Sequence, residues 1–255
     1  MGTGPLITVI VPVYSQPRML HKQLTTWLQY DPEVLRAFKF IIVDDCSPEP
    51  AESMFIGVQA SVADISLYRI DKDVPWNRGM ARNLGTKMAE TPWILHVDTD
   101  HVLPPGSAAF LVKTVNEGLP NAWYRFERYR VGAADETRKK DKVDPKAEFI
   151  EIHPHIDSYL CTPEAYWRAG GYNEDFSGVL GGGSPFLKEM EKANGESDTI
   201  GCPLWVYTRH SVPDSSEHTL PRDPEAFKRR KREIMAKRGT LRGHDPIRLP
   251  WHKVF

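Results

Sequence analysis

Short runs of β-branched and other apolar residues alternate with helical patterns through the first hundred residues, and this alternation most constrains the fold. The apolar runs cover residues 6–13, 38–43, 65–70 and 93–97. Continuous apolar runs of this length are typical of strands buried on both faces. Apolar side chains recur at helical spacing between them, over residues 17–28, 49–60 and 77–89. Strands alternating with helices predict βαβ units and an α/β fold with a mostly parallel central sheet flanked by helices.

The second half of the chain is less regular. Helices are expected over residues 107–116, 163–169, 186–192 and 224–237, and strands over 123–131, 150–160 and 204–208. Residues 132–144 are charged and carry few large apolar groups, which predicts a loop. We expect one domain over residues 1–221, with halves at 1–103 and 104–221, and a basic helix and tail over 222–255.

Charge is distributed unevenly along the chain. The net charge of −1 over 255 residues gives no general reason to expect nucleic acid or an acidic membrane as a partner. Residues 222–242, however, contain nine Lys/Arg and three Asp/Glu. The simplest interpretation of the basic helix Lys228–Arg238 is a solvated face that packs Phe227, Ile234 and Met235 inward. The alternative is a surface that docks a polyanion such as DNA, an anionic lipid headgroup or a charged polysaccharide.

The cysteines indicate neither a disulfide framework nor a thiolate zinc site, because the three are far apart and form no CxxC pair. A reducing, cytoplasmic location is the simplest expectation. The N-terminal apolar run is short and has no preceding basic region, so it predicts a strand and not a signal peptide. No other run is long enough to cross a bilayer.

Carboxylates follow two of the predicted strands. Asp44 and Asp45 close the second strand, and Asp98, Thr99 and Asp100 follow the fourth. The carboxyl ends of parallel strands meet at one edge of a sheet, where ligands bind. Side chains two residues apart in an extended segment point to the same side, so Asp98 and Asp100 are expected to act together. Hard oxygen ligands of this kind suit Mg²⁺ or Mn²⁺ with a diphosphate completing the shell.

Five segments in order resemble the GT-A glycosyltransferases, closest to family 2 and to the related galactosaminyl- and galactosyltransferase families. They are ITVIVPVY, FIIVDDCSPE, PWNRGMARNLG, HVDTDH and AGGYNEDFSG, within residues 7–210. The resemblance implies a Rossmann-like GT-A sheet with a nucleotide-sugar-binding half at 1–103 and a smaller acceptor-side half at 104–221. It also implies a metal-dependent transferase that moves a hexose or N-acetylhexosamine from a nucleotide-sugar to a hydroxyl acceptor.

The same resemblance implies roles for residues that bind the donor. Asp45 would accept a hydrogen bond from the imide of the base, which favours a UDP-sugar, and Asp44 would support that turn. Pro12, Val13 and Tyr14 would line the nucleotide pocket. Phosphate or sugar contacts would come from the helix before the fourth strand, at Arg78, Arg82 and Asn83. The alternative for Arg82 is a solvent-facing position on that helix.

The metal would be held at the DxD motif. Asp98 would face the ribose or the metal, with Thr99 in the same turn, and Asp100 would be the catalytic metal ligand. His210 would complete the shell, although a structural histidine is equally compatible with its position. His101 is expected to point away from Asp100. His153 and His155 are interpreted as the edge of a strand.

The sequence departs from the family pattern after GGYNEDFSG. Relatives usually carry an acid in the next glycine-rich segment, which supplies the base or binds the acceptor, whereas this chain has Gly183 and Ser184 there. Three alternatives remain at this point. The base comes from Asp175, Glu174 or Asp157, or the enzyme retains configuration, or it is catalytically impaired.

Other functions are compatible with the same motifs. A non-catalytic nucleotide-sugar or glycan-binding protein would also explain Gly183. The acceptor could be a glycan, a small molecule or a polyanion such as modified DNA, the last only through Lys228–Arg238. A nucleotidyltransferase is disfavoured because VPVYSQPR replaces the glycine-rich basic loop expected after the first strand.

Overall fold

A computed structural model describes residues 4–55, 64–131, 149–209, 211–215, 222–242 and 245–255. Its first four strands are parallel and lie in the spatial order β3-β2-β1-β4. The bounds of these strands are β1 Ile7–Val13, β2 Phe38–Asp44, β3 Ile65–Ile70 and β4 Trp93–His96. Every residue of β1 is buried, which explains the uninterrupted apolar run.

The remaining strands extend this sheet on both sides. They are β5 His101–Val102, β6 Trp123–Val131, β7 Phe149–Ile152, β8 Tyr159–Cys161, β9 Asp198–Tyr207 and β10 Trp251–Lys253. The full order is β10-β3-β2-β1-β4-β8-β6-β9-β5, with β7 paired to β6. Only β6 and β9 form a parallel pair in this part, so the sheet is mixed outside its first four strands.

Helices flank the sheet and begin where the sequence provides start signals. Proline occupies one of the first two positions of α1, α2, α4, α5 and α7, where its missing N–H costs no hydrogen bond. The helices are α1 Pro17–Trp27, α2 Pro32–Leu35, α3 Arg78–Met88, α4 Pro105–Glu117, α5 Pro163–Arg168, α6 Gly183–Asn194 and α7 Pro224–Arg238. Two 3₁₀ turns, Ala51–Phe55 and Glu174–Phe176, lie between them. No helix of the described residues is long and apolar enough to cross a membrane.

The chain changes direction across the sheet at β1. It runs from β1 to β2 and β3 on one side, and then returns to place β4 on the other side of β1. Such a switch point leaves a crevice at the carboxyl ends of the strands, because the connecting loops diverge there. The segments after β1, β2 and β4 all open into this crevice, which is where the predicted site residues are concentrated.

Several predicted elements differ from those observed. The described part of the helix predicted over 49–60 contains the 3₁₀ turn Ala51–Phe55. Residues 56–63 and 132–148, which include the rest of that prediction and the predicted loop, lie outside the described residues. The extended run predicted over 150–160 is split into β7 and β8. The strand predicted over 204–208 corresponds to the longer strand β9, which begins at Asp198. It is longer because β9 pairs with β6 on both sides of an irregularity at Phe126 and Glu127.

The strand β10 was not predicted. It pairs antiparallel with β3, where Trp251 packs edge-on against Tyr68 at 5.9 Å between ring centroids. Three residues are too few to show a period, so only the contact with a distant strand defines this element. The division of the chain at residue 222 stays a prediction.

Gly85 brings α3 close to β1. A Cβ atom at this position would lie 2.4 Å from Cγ2 of Ile10. We therefore expect Gly85→Ala to lower the free energy of unfolding by about 1–3 kcal/mol through overpacking, in spite of the gain of about 1 kcal/mol that alanine gives a helix. Urea unfolding followed by circular dichroism measures this.

Gly106→Ala is the matched control, because a Cβ there, in the first turn of α4, meets no atom within 4 Å. It should leave stability unchanged or slightly raised. Equal losses in the two variants would contradict the close packing of α3 on β1.

Candidate active site

The turn after β2 is held by the buried carboxylate of Asp44. Its Oδ1 accepts the backbone N–H of Ser47 at 2.8 Å, and its Oδ2 accepts that of Ala51 at 3.1 Å. Arg69 on β3 forms an ion pair with Oδ2 and donates to the carbonyl of Ser47. With its oxygens engaged in this way, Asp44 shapes the turn that presents Asp45, and a direct contact with nucleotide stays a prediction.

Asp45 faces the start of α3. Asn77, directly before that helix, donates from Nδ2 to Asp45 Oδ1 at 3.0 Å and accepts the hydroxyl of Ser177 on Oδ1 at 2.7 Å. Burial raises the pKa of Asp45 to about 7, an effect that the hydrogen bond from Asn77 opposes and the charges of Asp44 and Asp73 increase. A carboxylate whose pKa is shifted this far in a crevice is a candidate for ligand contact.

The other residues predicted to line the nucleotide pocket lie at the end of β1. Pro12 and Val13 are buried, and the Pro12 carbonyl accepts the Thr99 hydroxyl at 2.8 Å. Tyr14 is partly exposed, and its hydroxyl donates to Asp73 at 3.3 Å. Thr99 therefore links the DxD turn to β1, so the ends of β1 and β4 are held together at the crevice.

Gln23 of α1 fixes the DxD turn from the other side. Its side-chain amide nitrogen, Nε2, donates to the backbone carbonyls of Thr99 at 3.0 Å and His101 at 2.8 Å. The backbone of Asp100 is also fixed, because its carbonyl accepts the N–H of Tyr207 on β9 at 3.0 Å. The backbone that carries both aspartates is thus braced from α1, β1 and β9.

Asp98 forms a buried ion pair with Arg82. The guanidinium is 0% exposed and contacts Asp98 Oδ1, while Arg78 approaches Oδ2 with Nη1 at 3.9 Å. Burial alone would raise the pKa of Asp98, but the positive charge of Arg82, aided by His155 and Arg78, holds that pKa well below its usual range. The alternative in which Arg82 faces solvent is wrong.

Two histidines join Asp98. One ligand atom from each of Asp98, His101 and His155 lies within 4.8 Å of the others. Burial lowers the pKa of both imidazoles, which favours their neutral form. His101 does not point away from Asp100, since its Nε2 lies 3.9 Å from Asp100 Oδ1. His155 is not a strand-edge residue either, because it lies between β7 and β8 and turns towards Asp98.

A metal-like alternation of residues marks only one of these histidines in the sequence. The alternation His153-Pro154-His155 was visible, but only the tertiary structure brings one member to Asp98. A turn at residues 156 and 157 follows His155 and leads into β8. His210, the predicted third ligand, lies outside the described residues.

Asp157 is completely buried beside the start of α6. Its Oδ1 accepts the hydroxyl of Tyr172 at 2.7 Å, and Oδ2 lies 3.1 Å from Nη2 of Arg78. A Cβ on Gly183 would lie 2.3 Å from Asp157 Oδ1. The carboxylate of Asp157 thus fills the space next to position 183, where relatives are expected to carry an acid.

Asn83 ties α3 to the segment 172–174. Its Nδ2 donates to the carbonyl of Tyr172 at 2.9 Å and to Glu174 Oε1 at 2.8 Å. Its Oδ1 accepts the hydroxyl of Tyr166 at 2.6 Å and the N–H of Tyr172 at 2.9 Å. The hydrogen-bonding groups of the Asn83 side chain are all used within the protein, and its contact with the donor stays a prediction.

Glu174 and Asp175 are held by the C-terminal segment. Glu174 accepts the backbone N–H groups of Ile247 at 2.5 Å and Arg248 at 3.1 Å. Asp175 forms ion pairs with Arg248 at 2.7 Å and Arg238 at 3.0 Å. Both carboxylates therefore fasten the chain end to the loop before α6.

A pocket opens between the start of α3 and the loop before α6. Arg78 supplies the only charged side chain among its lining residues. The loop is anchored to the other wall, because Gly178 N–H donates to the carbonyl of Pro75 at 2.6 Å. The lining residues are Trp76, Arg78, Gly79, Tyr172, Asn173, Phe176, Ser177, Val179, Leu180, Gly181, Gly182 and Gly183.

The basic helix α7 borders this pocket. Phe227 packs against Phe176 at 5.5 Å between ring centroids, and Ile234 is buried. Met235 is 42% exposed, so the prediction that it packs inward is wrong. Docking of a polyanion on this helix stays a prediction.

The chain is similar to known proteins in sequence pattern and in fold. The model of glycosyl transferase family 2 matches residues 8–173. The fold is similar to that of S. aureus TarS in complex with UDP-GlcNAc, with a TM-score of 0.67 and 16% identity over 91% of this chain and 66% of that chain. It is also similar to the mannosyltransferase PcManGT from Pyrobaculum calidifontis in complex with GDP-Man and Mn²⁺, with a TM-score of 0.55 and 15% identity.

The second alignment covers 95% of this chain and 66% of PcManGT. This chain thus spans slightly less than two thirds of the length of either solved chain. Among curated protein sequences, none matches it.

The raised pKa of Asp45 predicts a pH-dependent stability. Between pH 3.8, the ordinary pKa of an aspartate, and about pH 7, Asp45 keeps its proton in the folded protein and loses it in the unfolded chain. Stability from this group therefore falls as pH rises through that window and is level above it. Asp45→Asn removes the charge and keeps an oxygen for Asn77.

The stability of Asp45→Asn relative to the unmodified protein should rise by about 4 kcal/mol from pH 4 to pH 8, since one pKa unit corresponds to roughly 1.4 kcal/mol. Urea unfolding of both proteins across this range measures the difference. A difference that does not change with pH would show that Asp45 has an ordinary pKa.

Proposed function

Because the chain belongs to glycosyl transferase family 2, we propose that it transfers a hexose or N-acetylhexosamine from a UDP-sugar to a hydroxyl acceptor with the help of Mn²⁺ or Mg²⁺. The family model confirms the resemblance to family 2 of the glycosyltransferases, and the similarity to TarS confirms the fold. The nucleotide, the sugar, the metal and the acceptor are the proposed parts.

One observation carries this proposal: two carboxylate turns and two arginines converge on the crevice beside β1. Asp45 directly follows β2, and Asp98 begins the turn after β4. Arg78 and Arg82, one turn apart on α3, lie against Asp98. A nucleoside diphosphate needs a polar acceptor for its base and cations for its phosphates, and the crevice offers both.

Recognition of the base is assigned to Asp45. The imide N–H of uracil is a donor, and Asp45 Oδ2 is the carboxylate oxygen that Asn77 does not engage. Cytosine and adenine lack this ring N–H donor, so the contact favours uridine over cytidine and adenosine. Pro12 and Val13 would form the apolar wall for the ring, with Tyr14 at the rim.

Stabilisation of the departing diphosphate is assigned to Arg78 and the DxD turn. The Arg78 side chain is 31% exposed and reaches the pocket, whereas Arg82 is enclosed and serves to hold Asp98. Carboxylate and imidazole groups around Asp98 and Asp100 fit Mn²⁺ as ligands. A divalent cation bound there supplies Lewis-acid neutralisation of the leaving phosphate.

The pocket next to Arg78 is the proposed acceptor site. Trp76 offers a ring face to a sugar, and the glycines of the loop let the acceptor approach the backbone closely. Asp157, Glu174 and Asp175 do not belong to its lining. We therefore assign Asp157 to holding Arg78 in position, and Glu174 and Asp175 to holding the acceptor loop.

This assignment predicts coupling between Asp157 and Arg78. Asp157→Asn keeps an acceptor for Tyr172 but removes the charge that pairs with Arg78. We expect Asp157→Asn and Arg78→Met each to lower kcat/KM for the donor by roughly 10- to 100-fold. The double variant should lose little more than either single one, because both act through one ion pair.

A double-mutant cycle on steady-state transfer rates measures this coupling, with thermal unfolding to confirm that each variant is folded. If the two losses multiply in the double variant, Asp157 acts independently of Arg78, as a base would.

The DxD turn predicts metal-dependent activity. Asp100→Ala should reduce transfer roughly 100-fold or more, since a group that stabilises developing charge contributes at least this much. EDTA should abolish transfer by the unmodified protein, and added Mn²⁺ should restore it. Asp198→Ala is the control, because Asp198 is exposed at the start of β9.

A panel of nucleotide-sugars, screened by thermal shift with and without Mn²⁺, identifies the donor through ligand linkage. Stabilisation by UDP without turnover of any UDP-sugar, tested with water and with glycan acceptors, would favour the non-catalytic binding protein. Stabilisation by GDP and not by UDP would contradict the proposal that the donor is a UDP-sugar.

A further inference from the structure

We propose that His101 and His155 bind the divalent cation together with Asp98, so that two imidazoles complete the shell for which the sequence implied His210. This deepens the proposed function and rests on it only in assigning the cation to the donor diphosphate. The loop between β7 and β8 then has a defined task, since it brings His155 across the crevice.

The contacts between Asp98 and His155 favour a cation between them. His155 Nδ1 lies 3.3 Å from Asp98 Oδ2. The same nitrogen accepts the backbone N–H of Asp157 at 3.3 Å, so it presents a lone pair and not a proton. A lone pair and a carboxylate oxygen that converge in this way can both bind one divalent cation.

His101 is oriented in the way that metal-binding histidines usually are. Its Nδ1 contacts the hydroxyl of Ser158 at 2.5 Å, which leaves Nε2 directed to the cluster. A hydrogen bond on the second ring nitrogen fixes the tautomer and the plane of such a ligand. Ser158 lies on the same loop end as His155, so one segment positions both histidines.

Nearby arginines limit how tightly the cation binds by itself. Arg128 donates from Nη1 to His101 Nε2 at 3.2 Å and must move aside for a metal. Arg78 and Arg82 neutralise Asp157 and Asp98. A nucleoside diphosphate brings the missing negative charge, so we expect UDP and the cation to strengthen each other's binding.

The ligand set also predicts which cation binds. Imidazole nitrogen suits Mn²⁺ better than Mg²⁺, which requires oxygen ligands and keeps its water. Mn²⁺ should therefore bind in the presence of a large excess of Mg²⁺. Displacement by equimolar Mg²⁺ would overturn the imidazole ligation.

The test is a titration of Mn²⁺, followed by the electron paramagnetic resonance signal of the free ion, in the presence of UDP. His155→Ala and His101→Ala should each weaken Mn²⁺ binding by roughly 10- to 100-fold. His153→Ala is the matched control, because His153 is exposed on the same segment and only its backbone carbonyl contacts Arg128. Its affinity should equal that of the unmodified protein.

Thermal unfolding and metal-free UDP binding verify that the variants retain their fold. Unchanged Mn²⁺ affinity in folded His155→Ala would overturn the proposal, even if transfer stays Mn²⁺-dependent and the proposed function stands. Mn²⁺ binding that depends on both histidines, with no transfer from any nucleotide-sugar, would instead support the site and refute the proposed function.

Discussion

The buried ion pair between Arg82 and Asp98 is the interaction on which the site depends. A guanidinium with no exposed surface is stable only when a carboxylate compensates it, and Asp98 is that carboxylate. The pair joins α3 to the end of β4, so the helix that carries Arg78 is fixed relative to the DxD turn. Breaking such a pair typically costs about 3–5 kcal/mol, because the remaining charge stays buried.

A second set of contacts extends this framework to the acceptor side. Asn83 lies next to Arg82 on α3 and bonds Tyr172 and Glu174. Tyr172 in turn donates to Asp157, and its ring stacks on Phe186 of α6 at 4.2 Å between centroids. Helix α3 thus positions both the arginines at Asp98 and the Tyr172 wall of the pocket beside Arg78.

The C-terminal segment stabilises the same region from outside. Glu174 and Asp175 bind the chain around Ile247 and Arg248, and β10 then adds a strand beside β3. Because these two acids are paired with the C-terminal segment, they hold the loop before α6 in place. Asp157 takes up the space at Gly183.

Much of the donor half could be predicted from the sequence. The bounds of β1, β2, β3 and β4 were within one residue of those observed, because strands buried on both faces leave uninterrupted apolar runs. The short strands β5 and β10 could not be predicted, since two or three residues show no period. Met235 was misplaced because its burial depends on where α7 meets its neighbours.

The sequence by itself determined the alternation of strands and helices in the first hundred residues, the family, and the carboxylates that follow the strands. These features follow from local patterns. Only the tertiary structure decided which charges meet. Arg82 could have faced solvent, and His101 and His155 are 54 positions apart in the chain. The contacts among them arise from the packing of α3 and the β7–β8 loop on the sheet edge, and no local period encodes a meeting of distant segments.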